Sequence, residues 1–457
     1  MTRTRRGKGV STLTAMARGI ALPGIVVSLA VVAPPVAAQP SANDASPSAS
    51  ADANAARVPY GKDMAAELGD AAVEANPSVG AINSRIDALS EKVRQSKARL
   101  DPTFAAEYSN MPINAPIPGE HPMSGIQLTL RQTFYWPGKV SARQEVARSQ
   151  VNEAEQSLAE RKVQLRAAVE RAYYRLALTR QLREVTNKHV AALNDFIDVV
   201  AVKNEAGLAA QYELLQLRVL VDQLKDDLKD FDQEEASLTA TINATLHRST
   251  DIPALTPERT RVPRPPGDET ALARRAEQER PLLQGLAAKA ETHRAAARQA
   301  TREGYPDITL WAGYRVRTRV DADRGMDFVS VGASMPLPLS YRGRWGTERR
   351  LNDKLAEAAM QDRAAEVDRI RGELGRRMAE WRRAAQKAQT YRQDLTPEAR
   401  MTLDTTFVSY QADRADFASL FQAELQLLNF ERTTLLAETS AAEARVEVDA
   451  LVGSEAK

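Results

Sequence analysis

Four landmarks recur along this chain at almost constant separation. Asn76-Pro77 is answered by Arg280-Pro281, Pro102 by Pro306, Gly138 by Gly343, and Tyr212 by Phe417. The offsets are 204, 204, 205 and 205 residues. A register held over most of the sequence marks an internal duplication. A duplication constrains the fold before any other feature, because both copies must be the same supersecondary unit. Each copy reads as helix, strand, strand, very long helix, helix.

The long helices are the most unusual part of that unit. Between Ser141 and Lys203 there is neither proline nor glycine, and Leu158, Leu165, Val169, Tyr173 and Leu176 recur at spacings of 7, 4, 4 and 3. About 60 helical residues make a rod of roughly 90 Å at 1.5 Å per residue, longer than any globular core requires. After a break at Gly207, the residues Leu214, Leu217, Val221, Leu224, Leu228 and Phe231 alternate spacings of 3 and 4. That is a heptad seam, so the return helix packs along a partner. In the second copy Thr396-Pro397 interrupts the long helix and reads as a cap and kink.

The strands alternate cleanly. Ile126, Leu128 and Leu130 share one face, against Gln127, Thr129 and Arg131 on the other. In copy two, Ile308, Leu310, Ala312, Tyr314 and Val316 oppose Thr309, Gly313, Arg315 and Arg317, with Trp311 as the exception. The return strand sets Val329, Val331, Ala333 and Met335 against Ser330, Gly332 and Ser334. Strands of about 8–12 residues match the roughly 9–11 tilted residues that cross a bilayer in a β-barrel, and the alternation fits lipid outside and water inside. The polar face is more basic than a packed core would tolerate. Four strands cannot close a barrel, and open edges cannot sit in lipid. Membrane insertion would therefore require several chains, and three would supply an even twelve strands.

Composition agrees with long helices. Aromatic residues are only 5%, and Ala, Arg, Glu, Gln and Leu dominate. The charge is nearly balanced, 62 basic against 60 acidic residues, so nothing draws the whole chain toward nucleic acid. There is no cysteine, which excludes thiol catalysis, disulfides and a lipid-modified N-terminal cysteine. Residues 1–38 read as an export signal. Arg3, Arg5, Arg6, Lys8 and Arg18 precede an apolar stretch over 19–33, and Val36-Ala37-Ala38 fits a small-residue cleavage site. No later apolar run approaches membrane-helix length.

The expected organisation follows. Residues 1–38 are the signal and 39–59 a flexible Ala/Ser/Pro-rich segment. The first repeat, 60–254, has strands at about 103–109 and 125–134, a long helix at about 140–205 and a return helix at about 209–247. A proline-rich linker spans 255–267. The second repeat, 268–452, has strands at about 306–317 and 327–335, a long helix at about 345–410 and a return helix at about 414–452. A tail covers 453–457. In copy one the helix that opens at Pro77 is expected to run to about Leu100.

An exported chain with this duplicated order resembles the TolC family of outer-membrane efflux factors. The segment GIQLTLRQTFYWPGKVSARQEVA (125–147) is similar to that family's strand-to-helix junction. NPSVGAINSRIDAL (76–89) resembles its first helix start, and YPDITLWAGY (305–314) resembles the opening of its second-copy strand. AGLAAQYELLQLR (206–218) and YQADRADFASLFQAE (410–424) resemble its two periplasmic tip turns. The WPGK form is similar to the heavy-metal cation efflux branch. The resemblance covers about residues 60–452. It implies a mostly α fold with a small transmembrane β part, assembled as a homotrimer. A twelve-stranded outer-membrane barrel would continue into a periplasmic α-helical barrel that docks on a periplasmic adaptor and an inner-membrane pump. The expected function is the passive exit channel of a tripartite efflux system. The family usually has Gly in both tip turns; here Gly207-Leu208 in copy one stands against Ala412-Asp413 in copy two. These four residues are the expected adaptor contacts.

Glu213, Asp413 and Asp416 could form acidic rings that constrict the tunnel mouth, or could simply be favourable charges at helix starts. Arg131, Arg315 and Arg317 could line the barrel lumen, or could snorkel and pair with nearby acids. Met111, His121 and Met123 share a loop but lack tight ligand spacing, and His189, His247 and His293 are far apart. No nucleophile–base pair, phosphate-binding glycine loop or metal motif is found, and Gly372 and Gly375 sit within a helix. The chain is read as a non-enzyme without cofactor. The competing reading is a periplasmic coiled-coil adaptor or scaffold. Such a protein usually has a single helical hairpin beside compact β domains.

Overall fold

The computed structural model describes residues 64–110, 113–114, 123–250, 252–253, 264–317 and 326–453. The expected signal, the segment 39–59, most of the linker, Met111, His121, the strand-connecting loop at 318–325 and the last four residues lie outside that range. The described residues belong to one unit, Pro59–Lys457.

Two short helices open the first copy, α1 (Met64–Ala75) and α2 (Pro77–Gln95). Asn76 caps α2 by accepting from the Ser78 N–H at 3.0 Å, and Pro77 occupies the first turn, where its missing N–H costs nothing. The helix stops at Gln95, five residues short of Leu100. Ser96 closes it by turning its hydroxyl back to the Val93 carbonyl at 2.7 Å, before Asp101-Pro102 is reached. Strands β1 (Thr103–Ser109) and β2 (Gly125–Phe134) follow, then α3 (Lys139–Glu205) and α4 (Gln211–Thr245). The second copy repeats the order with α5 (Glu269–Glu279), α6 (Pro281–Glu303), β3 (Ile308–Arg317), β4 (Phe328–Ser334), α7 (Trp345–Thr390), α8 (Thr396–Gln411) and α9 (Phe417–Val452). At 67 residues, α3 is about 100 Å long.

The second long helix is not continuous. A single π turn, Tyr391–Leu395, separates α7 from α8. Thr396 is not a cap: its backbone is helical, and its hydroxyl lies 3.3 Å from that of Thr434 on α9. The cause is Pro397, which lacks an N–H and whose ring would strike the carbonyl four residues back in a regular α-helix. A π turn makes room by admitting one extra residue. The two copies record that insertion. Before it, buried Val169, Tyr173 and Leu176 match buried Leu374, Met378 and Trp381 at an offset of 205. Beyond it, the left-handed residues Gly207 and Asp413 match at 206. The Tyr212–Phe417 echo is therefore one residue out of structural register, since the return helices start at Gln211 and Phe417.

The four strands form one antiparallel sheet in the order β1-β2-β3-β4. The two hairpins are joined by β2–β3 pairing, which runs from Gly125↔Arg317 to Phe134↔Ile308. Register places Tyr108, Ile126 and Val316 in one cross-strand row, and Leu128, Tyr314 and Val329 in another. The apolar faces of all four strands thus merge. That face is exposed: Phe104, Leu130, Val329 and Val331 are 54–76% accessible. Trp311, the exception in the alternation, lies opposite Gly332. A Cβ built there would come within 2.6 Å of the indole, so only glycine admits the ring.

The helical part has no single core. Four buried clusters follow one another among the described residues, as expected when long amphipathic helices pack along their lengths. The largest joins α3, α4, α8 and α9 through Leu193, Val200, Leu217, Leu224, Leu403 and Leu420. Leu217, Val221 and Leu224 of the expected heptad seam are buried as that seam requires. Among the described residues, no helix is long and apolar enough to cross a membrane.

Candidate functional site

Three sets of residues carry the features expected of function: the strand–helix junction, the sheet's polar face and the helix tips.

At the junction, Gly138 adopts φ 90°, a left-handed conformation that glycine reaches without a Cβ penalty, and it starts α3. Lys139 is 3% exposed. Its ammonium lies 2.8 Å from Asp307 and 3.7 Å from Glu303. Asp307 also accepts from the Trp136 N–H at 2.9 Å, and Glu303 accepts from Arg143 at 2.6 Å. Trp136 stacks on Tyr305 with centroids 5.6 Å apart. The Trp136–Lys139 and Tyr305–Asp307 motifs, distant in sequence, thus meet and pin the two copies together. Copy two has no counterpart: Gly343 lies in a turn before α7 without positive φ, and Arg344 covers the Trp345 ring at 4.6 Å.

On the sheet, Arg131, Arg315 and Arg317 share the polar face with Gln127 and Thr129. Arg315 donates to the Gln127 amide oxygen at 3.1 Å through Nε. The Arg317 guanidinium covers Phe328 at 5.4 Å.

At the tips, α3 and α8 both end in a Schellman motif. The Leu208 N–H reaches the Lys203 carbonyl at 2.8 Å and the Gly207 N–H reaches Asn204 at 3.0 Å. Arg414 and Asp413 do the same to Ser409 and Tyr410, at 2.8 and 3.2 Å. The left-handed positions are Gly207 at φ 73° and Asp413 at φ 57°. Asp413 therefore stands opposite Gly207, and Ala412 is the right-handed residue before it. Lys203 of copy one spans the two turns. Its ammonium donates to the Tyr410 carbonyl at 2.5 Å, pairs with Asp413 and lies 4.6 Å from the Tyr410 ring. The Tyr410 hydroxyl donates to Glu213 at 3.2 Å. Burial, and then the Glu213 charge, push that hydroxyl up to about 12, so it stays a donor. Asp416 stands apart as the N-cap of α9, accepting from the Ser419 N–H at 2.7 Å, and hydrogen bonding to Ser419 holds its carboxyl below its ordinary range. The structure thus joins Glu213 and Asp413 in one network but not Asp416.

A fourth set has no precedent in the sequence reading. Glu424, Glu431 and Glu438 recur every seven residues on α9, on a face otherwise made of Leu420, Leu427, Leu428 and Leu435. Glu424 and Glu438 are 0% and 1% exposed. His189 of α3 bridges the first two, with Nδ1 2.6 Å from Glu424 and Nε2 3.1 Å from Glu431. Arg400 also pairs with Glu431, and Arg392 of the π turn pairs with Glu438. Burial lowers the affinity of His189 for its proton, but the two carboxylates outweigh it and raise the ring to about 9. An acid every seven residues within an apolar stripe was the available signal. No group of His and acidic residues able to hold a metal ion occurs among the described residues.

The sequence model described as Outer membrane efflux protein matches residues 68–245 and 272–454. Comparison with curated proteins gives no match. Among solved structures, the fold is similar to VceC from Vibrio cholerae at TM-score 0.71 and 17% identity, covering 85% of this chain and 96% of that one. It is similar to CusC at TM-score 0.71 and 13% identity (86% and 92% covered), and to the open-state MtrE outer membrane channel of Neisseria gonorrhoeae at 0.67 and 15% (86% and 89% covered). The paired family match, one segment per repeat, and the duplicated fold lead to one conclusion. This chain belongs to the outer membrane efflux protein family, and is an outer-membrane channel component of a tripartite efflux system that extends into the periplasm.

Proposed function

We propose that three copies of this chain close into a passive exit duct. The observation that carries the reading is the four-stranded sheet, with its exposed apolar face and its two outer strands, β1 and β4, each paired on one side only. Lipid does not tolerate unpaired edges, so β4 of one protomer pairs with β1 of the next and twelve strands complete a barrel. The long helices continue it as a periplasmic tunnel. Arg131, Arg315 and Arg317 face the barrel lumen. The turns at Gly207-Leu208 and Ala412-Asp413 contact a periplasmic adaptor, which links the duct to an inner-membrane pump. Glu213, Asp413 and Asp416 ring the periplasmic mouth and favour cations. A duct of this kind needs no catalytic residue and no cofactor.

Fractionation tests the assembly: a heat-modifiable trimer in the outer membrane is expected, and a soluble periplasmic monomer would instead support the adaptor or scaffold reading. Planar-bilayer recording of Asp413→Ala with Asp416→Ala tests the constriction. Higher conductance and weaker cation preference are expected, and unchanged values would sink that part of the proposal.

A further inference from the structure

A groove of about 870 Å³ crosses α3, α6 and α7 next to the strand ends. Five arginines line it: Arg148, Arg294, Arg298, Arg302 and Arg349. Among the described residues, Glu145 and Asp353 are the only carboxylates in its wall. Those acids are engaged, Glu145 with Arg298 at 2.9 Å and Asp353 with Arg349 at 3.6 Å. Glu291 takes Arg298 at 2.6 Å and Arg294 at 3.4 Å. Arg148 and Arg302 are exposed and pair with no carboxylate among the described residues. Five guanidinium groups against these three carboxylates leave the groove net positive.

Its position gives that charge a partner. The wall begins at Gly138 and Tyr305. Tyr305, 41% exposed, stacks on Trp136 where the strands end. Aromatic residues at that height mark the boundary between hydrocarbon and headgroups in a transmembrane barrel. Tyr305 belongs both to that belt and to the wall, so the strand-side end of the groove reaches headgroup level. Side chains on α3 lean toward its N-terminus, which carries the Arg148 guanidinium toward the membrane. Guanidinium forks match phosphate oxygens bidentately.

We propose that this groove binds the phosphate of an anionic phospholipid headgroup in the periplasm-facing leaflet, a site that rests on the barrel reading above. The test is native mass spectrometry of the full chain released from nanodiscs of equal parts phosphatidylglycerol and phosphatidylcholine, with bilayer conductance recorded in parallel. Wild type should retain phosphatidylglycerol preferentially. Arg148→Gln with Arg302→Gln should cut that preference by about thirtyfold, the size expected from two interfacial arginines. Arg344→Gln, outside the groove, should not. Rising salt should weaken the preference of the wild type itself, a check independent of any variant. Equal retention of both lipids by a conducting wild type overturns the site while leaving the channel intact. Retention that depends on the two arginines in a chain that does not conduct keeps the site and overturns the duct. Displacement of phosphatidylglycerol by equimolar inorganic phosphate would assign the groove to the free ion and overturn the lipid assignment.

Discussion

Folding changes the acid–base chemistry of His189. Its ring sits 5% exposed between Glu424 and Glu431, and it keeps its proton up to about pH 9, where an unfolded histidine loses it near 6.5. The pair contributes its full stability below pH 6.5 and loses it as pH rises toward 9. Thermal unfolding of the wild type should therefore shift downward across that window, and His189→Ala should show no such slope. The substitution also leaves Glu424, 0% exposed, without its cation, and should cost on the order of 3 kcal/mol. Glu424→Gln with His189→Ala should recover much of that loss. The heptad spacing of the acids is visible in the sequence, but the cation that joins them is not, because His189 lies 235 and 242 residues from its two partners. The tip was more legible. A left-handed residue must close each long helix, Gly207 does so in copy one, and an acid can adopt the same conformation at Asp413. What spacing could not show is that Lys203 of the other copy holds that acid.

The π turn belongs to the scale of the element. Tyr391 packs on Phe430 with centroids 5.3 Å apart and Arg392 holds Glu438, so the extra residue is anchored rather than strained loose. Deleting Gln393 together with Pro397→Ala should restore a continuous α-helix. It should turn everything beyond by about 100°, one residue's rotation. Lys203 and Asp413 would then no longer face each other. The chain has no cysteine, so Lys203→Cys with Asp413→Cys can be joined by a short bifunctional thiol reagent in the parent, and should fail to join in the deletion variant. β1 and β2 fall at 103–109 and 125–134, where period-two alternation and flanking prolines placed them. The long helices begin where expected, because little in the sequence competes with helix there. Pro397 announced a break but not its form: whether proline kinks a helix, caps one or widens a turn depends on what the neighbouring helix offers, and Thr434 and Glu438 lie on α9. The early stop of α2 at Gln95 was likewise hidden, since Ser96 and Lys97 are compatible with continuing.

For the whole molecule, the apolar face of the sheet is the decisive surface. Val331 is 76% exposed at the middle of β4, and Ser330 beside it points to the opposite face. If that face meets lipid, Val331→Lys should destabilise the assembled barrel by about 2–4 kcal/mol, whereas Ser330→Lys should be nearly neutral. Urea titration of the heat-modifiable trimer in lipid would read both. Equal tolerance at the two positions would contradict a bilayer around the sheet. The duplication also has a kinetic consequence through the β2–β3 pairing. That ladder joins one repeat to the other as the β4–β1 ladder would join one protomer to the next. Six separate hairpins would have to meet at sixth order in concentration. Joining them in pairs reduces this to third order, and makes every second seam of the ring independent of how much protein reaches the membrane.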